Sequence, residues 1–93
     1  MLLGNYFTNI DSSKKKIFFS GISFNSKDIK KDNIFFAIKG NNFDGNKFIS
    51  TAIKKGAKII ISEERIANFQ KDVLFIHTKN IRKLLAEIAF KIY

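Results

Sequence analysis

The sequence predicts an α/β fold, in which a small, mostly parallel or mixed sheet is flanked by helices. Three observations lead to this prediction. Short, mainly apolar runs at residues 34–38, 58–61 and 73–76 are typical of strands that are buried on both faces of a sheet. Residues 47–55 and 81–92 carry apolar side chains at helical spacing. Strands that alternate with helices along a chain form parallel sheets with right-handed crossovers.

The N-terminal part of the chain is less strongly patterned. A short helical turn that ends near Asn9 is predicted from four apolar residues, Leu2, Leu3, Tyr6 and Phe7. A polar loop at residues 11–16 follows, and then a β-rich stretch at residues 17–24. Ile22 and Phe24 alternate with polar residues there, which predicts a strand with one buried face.

The helix ends carry recognisable signals. Gly56 stands where a C-terminal cap is expected, and Thr78 or Asn80 can cap the start of the last helix. Five residues of that helix follow the i, i+3, i+4, i+7, i+11 spacing of a face that packs on the sheet: Ile81, Leu84, Leu85, Ile88 and Ile92.

Length and composition restrict the class of protein. The 93 residues fit one domain, spanning 1–93, and 45% of them are hydrophobic, which is enough for a core. The absence of cysteine excludes disulfides, thiolate metal sites and cysteine nucleophiles. No apolar run approaches the roughly 20 residues of a membrane helix, and the N-terminus lacks the features of a signal peptide. A cytoplasmic location without a membrane partner is therefore expected.

The formal net charge of +9 allows two interpretations. Almost all of the positive charge is lysine, with Arg65 and Arg82 the only arginines, so a solvated lysine surface is favoured over a functional basic face. Phe18-Phe19 and Phe35-Phe36 lie among lysines and leave a nucleic-acid-binding module open as an alternative. They do not match the RNA-recognition pattern, and adjacent strand residues point to opposite faces, so a nucleic-acid partner is not expected.

The loop from Gly40 to Lys47 follows a predicted strand and precedes a predicted helix, which is where α/β proteins bind phosphates. Gly40 and Gly45 have the spacing of the phosphate-loop pattern G-x-x-x-x-G-K-[ST]. However, Asn46 occupies the lysine position and Lys47 the hydroxyl position, so ATP hydrolysis is not expected here. The alternative is a tight turn in which Asp44 or Asn46 caps the helix.

A second candidate loop, Phe24-Asn25-Ser26-Lys27, lies where a strand ends. A serine hydroxyl there can donate to a phosphate oxygen and an aromatic ring can pack on a base; the alternative is an ordinary strand end. His77 is the only histidine, and a lone histidine is not a metal site. The carboxylates of Asp44, Glu63, Glu64 and Asp72 form no catalytic pair, and Glu63-Glu64 is expected to be solvated. No catalytic or metal-binding residue is predicted.

Taken together, the two loops resemble the N-terminal domain of the Mur ligases, which build the peptide of the bacterial cell wall. Residues 21–49 are similar to the family pattern G-I-[ST]-x-D-S-R-x-[IV]-x-x-G-D-[IL]-F-[VF]-A-[IL]-x-G, then x-x-x-D-G-x-x-[FY]-[IV]. Residues 52–57 match its continuation A-I-x-x-G-A, and residues 82–93 resemble its closing helix. The resemblance covers roughly residues 17–93.

The chain departs from the family pattern at three places. Asn25 stands for an aspartate, Lys27 for an arginine, and Asp32-Asn33 for Gly-Asp. Lys27 keeps the positive charge but lacks the planar fork of a guanidinium. Asn25 and Lys27 are therefore possible site residues and are kept apart from the predicted substrate contacts.

The resemblance implies a role in holding the UDP end of a UDP-N-acetylmuramoyl-peptide. Phe24 and Ser26 would form one contact group near the uracil and the diphosphate, and Asn41, Asn42 and Phe43 the second. The full-length enzyme would use ATP and Mg²⁺, bound by central and C-terminal domains that are absent from this chain, and the chain alone would be inactive. The aromatic-rich ending most resembles the ligase that adds the third residue, meso-diaminopimelate or L-lysine. The dipeptide-adding ligase and a non-catalytic interaction domain remain alternatives.

Overall fold

The computed structural model describes residues 1–8, 10–65 and 72–93. Four strands form one sheet in the order β1-β2-β3-β4, and each neighbouring pair is parallel. The strands are β1 (Gly21–Ser23), β2 (Asn33–Ala37), β3 (Ile59–Ser62) and β4 (Leu74–His77). The parallel α/β prediction is confirmed for this part of the chain.

Two α-helices lie on opposite faces of the sheet. Helix α1 (Ile49–Lys54) continues from a 3₁₀ turn at Gly45–Phe48 and joins β2 to β3, whereas α2 (Ile81–Ile92) follows β4. The asparagine side chain of Asn80 caps α2 by accepting a 3.1 Å hydrogen bond from Lys83 N–H, as predicted for one of its two candidate caps.

The sheet separates two hydrophobic clusters because adjacent strand residues point to opposite faces. Phe36 faces α2 and the N-terminal segment, together with Ile59 and Ile61. Phe35 faces α1, together with Ile60. Both phenylalanines are completely buried, so neither ring is available for stacking on a base. The prediction of a strand buried on both faces is confirmed for β2 and β3. It is wrong for the run at 73–76, because β4 lies at the edge of the sheet and its residues are half-buried or exposed.

The predicted face of α2 contacts the core. Ile81 and Ile88 are buried in the cluster on that side of the sheet. Leu84, Leu85 and Ile92 are half-buried and pack against its edge. All five residues of the predicted face therefore contribute to packing, but only two of them are fully enclosed.

The N-terminal segment differs from its prediction. Leu2 is not helical but forms an antiparallel bridge with Phe18, and only Leu3–Asn5 makes a 3₁₀ turn. The predicted end near Asn9 lies outside the described residues. The β-rich stretch is likewise interrupted: strand β1 starts at Gly21 and ends at Ser23. Phe24 is therefore not a core residue, and it is 58% exposed because the chain turns away from the sheet there.

Gly56 ends α1 in the manner predicted. Its φ of 115° is in the region that favours glycine. Gly56 N–H donates to Ile53 O and Ala57 N–H donates to Ala52 O, both at 3.0 Å, which is the Schellman arrangement. This turn brings the chain directly into β3.

Candidate functional site

A cleft of about 620 Å³ lies at the carboxyl edge of β1 and β2. Both predicted loops contribute to it, because β1 and β2 are adjacent parallel strands whose carboxyl ends meet at one edge of the sheet. The lining consists of Phe24, Asn25, Ser26, Lys27, Ile38, Gly40, Phe43, Phe48, Arg82 and Leu85. The structure thus brings together the two loops that the sequence singled out separately.

The loop after β1 is shaped by Asn25. Its side-chain Oδ1 accepts a 3.0 Å hydrogen bond from Lys27 N–H, and its own N–H donates to Ser23 Oγ at 3.1 Å. Asn25 thereby caps the 3₁₀ turn Ser26–Asp28. An amide oxygen is sufficient for this local bond, so the asparagine retains the capacity to orient its neighbours. Ser26 is only 7% exposed and borders the cleft, where Lys27 is also present.

The loop after β2 is held tightly to the strand. Gly45 N–H donates to Ile38 O at 2.7 Å, and a Cβ at Gly45 would lie 2.7 Å from the backbone nitrogen of Ile38. Gly40 N–H donates to Phe43 O at 2.6 Å, which closes the turn at the tip. Only glycine fits at position 45, because the backbone of Ala37 and Ile38, where β2 ends, occupies the space of a side chain.

This loop does not fit the triphosphate of ATP. The N–H of Asn46 donates to Asp44 Oδ1 and that of Lys47 to Asp44 O, while Gly45 N–H is bound to Ile38. The first N–H groups of the turn are therefore already occupied and are not free to bind a phosphate. The alternative of a tight turn capped by Asp44 describes the structure.

Asp44 is held in its ionised form by this turn. The Asn46 side chain donates to Asp44 Oδ1 at 2.9 Å and the Asn46 backbone N–H donates to it at 3.0 Å. These two bonds, with Lys39 and Lys47 nearby, lower the pKa of the Asp44 carboxyl below its usual 3.8. The carboxylate thus has a structural role at the base of the loop.

Arg82 is the main cleft residue that sequence reasoning missed. It lies in the first turn of α2, and a Cβ built on Gly40 would be 3.7 Å from its Nη2. The guanidinium therefore reaches the loop after β2. One signal was available: Arg82 is one of two arginines in a lysine-rich chain and stands near the start of a helix that follows a parallel strand.

The other predicted site residues divide into two groups. Phe43 borders the cleft and stacks on Phe48, with ring centroids 5.6 Å apart and an interplanar angle of 13°. Asn41 and Asn42 are exposed at the tip of the same loop but do not line the cleft. A ligand that extends over the Gly40–Phe43 turn would be needed to reach their amides.

The chemistry of the cleft is apolar and basic. Phe24, Phe43 and Phe48 each expose more than a third of their surface, which is unusual for a side chain of this type. Lys27 and Arg82 supply positive charge, and no carboxylate is among the described residues that line the cleft. Aromatic rings with a guanidinium and an ammonium suit a ligand with a flat ring and a phosphate group.

Within residues 1–8, 10–65 and 72–93, no cluster of three histidine or acidic side chains could hold a metal ion. None of the helices described there is long and apolar enough to span a bilayer. His77 is the exposed last residue of β4, away from the cleft lining.

Comparison with known proteins identifies the family. Residues 18–93 match the model of the Mur ligase family, catalytic domain. The chain belongs to the Mur ligase family. The resemblance inferred from the two loops is thereby confirmed.

Two curated relatives extend the match of this Mur ligase chain. The chain is 45% identical over 87 residues to the UDP-N-acetylmuramoyl-L-alanyl-D-glutamate–2,6-diaminopimelate ligase of Clostridium tetani, a match that covers 91% of the chain and 18% of the relative. It is 38% identical over 79 residues to the enzyme of the same name from Rickettsia prowazekii, covering 85% of the chain and 16% of the relative. The chain therefore spans less than a fifth of the length of these relatives.

Solved structures show the same fold. MurF ligase from Thermotoga maritima, solved in complex with ADP, superposes with a TM-score of 0.63 at 31% identity and covers 75% of this chain and 16% of its own. The D-alanyl-D-alanyl-adding ligase from Acinetobacter baumannii gives a TM-score of 0.63 at 22% identity, covering 74% of this chain and 15% of its own. The second comparison supports the fold alone.

Proposed function

We propose that this Mur ligase domain binds the UDP end of a UDP-N-acetylmuramoyl-peptide in the cleft between the loops after β1 and β2. The observation that carries the proposal is the composition of that cleft. Exposed phenylalanine rings, a nearly buried serine and two cations converge there, with no carboxylate among the lining residues in the described part of the chain. A nucleoside diphosphate presents a flat ring and two phosphates, which this set of groups complements.

The roles of individual residues follow from their positions. Phe24 and Phe43 are placed to pack on the uracil or the ribose, since both rings border the cleft and are exposed. Ser26 and Arg82 are placed to donate to the diphosphate, with Lys27 adding charge. Asn41 and Asn42 would contact the part of the ligand that extends over the loop tip. These assignments rest on geometry and family membership together.

The activity of the whole protein is part of the same proposal. The curated relatives are named as ligases that join 2,6-diaminopimelate to UDP-N-acetylmuramoyl-L-alanyl-D-glutamate. We propose that the protein containing this domain catalyses such a third-residue addition in the cytoplasm, with ATP and Mg²⁺ bound outside these 93 residues. The loop Gly40–Lys47 does not fit ATP, so the 93-residue chain alone should have no ligase activity.

A dipeptide-adding ligase is the second candidate. The solved MurF structure from Thermotoga maritima favours it, because its chain is 31% identical and shares the fold. The curated diaminopimelate ligase of Clostridium tetani has 45% identity over a larger part of the chain. The third-residue ligase is therefore the preferred candidate. Both candidate ligases would bind the same UDP-muramoyl end of their substrates.

An NMR titration of the 93-residue chain tests the ligand. UDP-N-acetylmuramic acid should shift the amide resonances of residues 24–27 and 40–46 and of Arg82, whereas ATP with Mg²⁺ should leave residues 40–47 unshifted. Ser26→Ala should weaken UDP-N-acetylmuramic acid binding roughly ten- to hundredfold, because a hydrogen bond to a charged group is lost. The absence of shifts at millimolar UDP-N-acetylmuramic acid, or shifts confined to β4, would contradict the proposal.

A further inference from the structure

We propose that Ser62 and Glu63, which do not line the cleft, are positioning residues that hold its two walls at the separation required by the ligand. The inference rests on the proposed UDP-binding function and adds to it the element that shapes the site. The two residues lie at the carboxyl end of β3, between the loop after β2 and the start of α2.

Ser62 holds the loop after β2. Its hydroxyl donates to Asn46 Oδ1 at 2.5 Å and accepts a 3.0 Å hydrogen bond from Glu64 N–H. The Asn46 amide in turn donates to Asp44 Oδ1 at 2.9 Å. A chain of hydrogen bonds thus runs from β3 to Asp44, the residue that follows Phe43 of the cleft. Ser62 is 3% exposed, so water does not readily replace these bonds.

Glu63 holds the other wall. Its Oε2 accepts a 2.9 Å hydrogen bond from the backbone N–H of Ile81, the first residue of α2. A carboxylate is favourable there because the N-terminus of a helix carries partial positive charge and unpaired N–H groups. Arg82 is the next residue along the helix, so the bond fixes the backbone from which the guanidinium enters the cleft. Glu63 is exposed, as expected of the acidic pair at the end of this strand, and it makes this bond in addition.

The two bonds diverge because β3 is a strand. Ile60 packs on the α1 side of the sheet and Ile61 on the α2 side. By the same alternation Ser62 reaches the turn that leads into α1, and Glu63 reaches α2. Ser62, the last residue of β3, and Glu63, the residue directly after it, therefore set the position of the Phe43 loop and of Arg82 relative to each other.

Ligand-free spectra test the positioning directly. Ser62→Ala should shift the amide resonances of residues 40–46, and Glu63→Ala should shift those of residues 80–85. Glu64→Ala is the matched control, since Glu64 is also exposed and contributes its backbone N–H to the network. Unshifted resonances at 40–46 and 80–85 in the two alanine variants, or equal shifts in Glu64→Ala, would overturn the proposal whether or not the chain binds UDP.

Affinity measurements test the consequence for the ligand. Ser62→Ala and Glu63→Ala should each weaken UDP-N-acetylmuramic acid binding about three- to tenfold, which corresponds to one lost hydrogen bond. Ser62→Thr retains a hydroxyl, and Glu63→Gln retains a side-chain oxygen that can accept. Each should therefore bind UDP-N-acetylmuramic acid within about twofold of the wild-type affinity. Equal loss in the alanine and the conservative variants would overturn the assignment, because it would indicate a general structural defect.

Asn46→Ala covers the case in which Ser62→Ala does not fold. It breaks the Ser62 bond from the loop side, together with the bond from Asn46 to Asp44, and should weaken binding at least as much as Ser62→Ala. Where both variants fold, the double variant should be no weaker than Asn46→Ala alone, because Ser62 acts on the loop through Asn46. Additive losses would overturn the link between Ser62 and the loop. If the wild-type chain itself fails to bind UDP-N-acetylmuramic acid, the proposed function fails and the ligand-free shifts still decide the positioning.

Discussion

Asp32 N–H donates a 2.8 Å hydrogen bond to the carbonyl oxygen of Gly56, and both residues have positive φ angles, 65° and 115°. The two turns that lead into β2 and β3 are therefore locked to each other at the edge of the sheet opposite the cleft. Gly56 is suited to its conformation, whereas Asp32 adopts a left-handed backbone that is costly for a residue with a Cβ.

Asp32→Gly should stabilise the chain by about 0.5–1 kcal/mol, because relief of the left-handed strain exceeds the added entropy of the unfolded state. Both backbone hydrogen bonds of Asp32 remain possible in the variant. Urea unfolding with an unchanged m-value is the measurement. Gly56→Ala is the matched control and should destabilise the chain, since its Cβ would lie 2.8 Å from Lys31 Cα. A loss of stability in Asp32→Gly would contradict the argument.

Ile88→Ala should destabilise the chain by about 2–5 kcal/mol, as expected when a large side chain is removed from a closed core. Ile88 is 1% exposed and lies under the middle of α2. Leu85→Ala should cost less, because Leu85 is half-buried at the cleft. Phe90→Ala is the control on the same helix: Phe90 is 87% exposed, and the free energy of unfolding should change by less than about 0.5 kcal/mol. Equal effects for Ile88 and Phe90 would be incompatible with the packing described.

Arg82→Ala should weaken UDP-N-acetylmuramic acid binding by roughly ten- to hundredfold, since a charged donor to the diphosphate is removed. Arg65→Ala removes the same charge from the other arginine, which is exposed and outside the cleft, and should leave the affinity within about twofold. Isothermal titration calorimetry or NMR provides the measurement. Equal effects of the two substitutions would indicate net charge rather than a specific contact.

The titration of the Asp44 carboxyl reports on the turn that it caps in the loop after β2. Its pKa is lowered in the folded chain, first by the Asn46 side-chain bond, so its stabilising contribution is fully present above the unfolded value near 3.8. The contribution is lost as the pH falls through the lower, folded pKa. Carboxyl ¹³C NMR should find the Asp44 midpoint below 3.8, and Asn46→Ala should raise it. A midpoint at or above 3.8 in the wild-type chain would disprove the cap.

Local patterns in the sequence predicted much of the fold. Phe35 and Phe36 belong to an apolar run whose alternation alone places one ring on each face of the sheet. Gly56 and Asn80 were identifiable as caps because the bonds they make are local. The limits of β2, β3 and β4 differ from the predicted ones by one residue, and β1 starts four residues later than predicted, since hydrogen bonding to neighbouring strands, rather than side-chain type, sets where a strand begins and ends.

The contacts that the sequence did not reveal join segments that are distant in the chain. Glu63 meets Ile81, and Arg82 meets Gly40, only because α2 packs back across the sheet towards the carboxyl edge. Phe24 continued the alternation of β1, but the turn at Asn25 redirected the chain before a further residue could pair. Such features depend on docking geometry, which local periodicity does not encode.

The strand order β1-β2-β3-β4 has a consequence for synthesis on the ribosome. Each strand pairs with the one made immediately before it, so no strand has to wait for a partner made much later. Domains built from such near-neighbour contacts form faster than those that need distant pairings. The hydrophobic cluster that contains Phe36 stays exposed to water until Ile81 and Ile88 of α2 leave the ribosome, because these two residues cover it. Folding of the domain is thus expected to proceed strand by strand during translation and to be completed by its last helix.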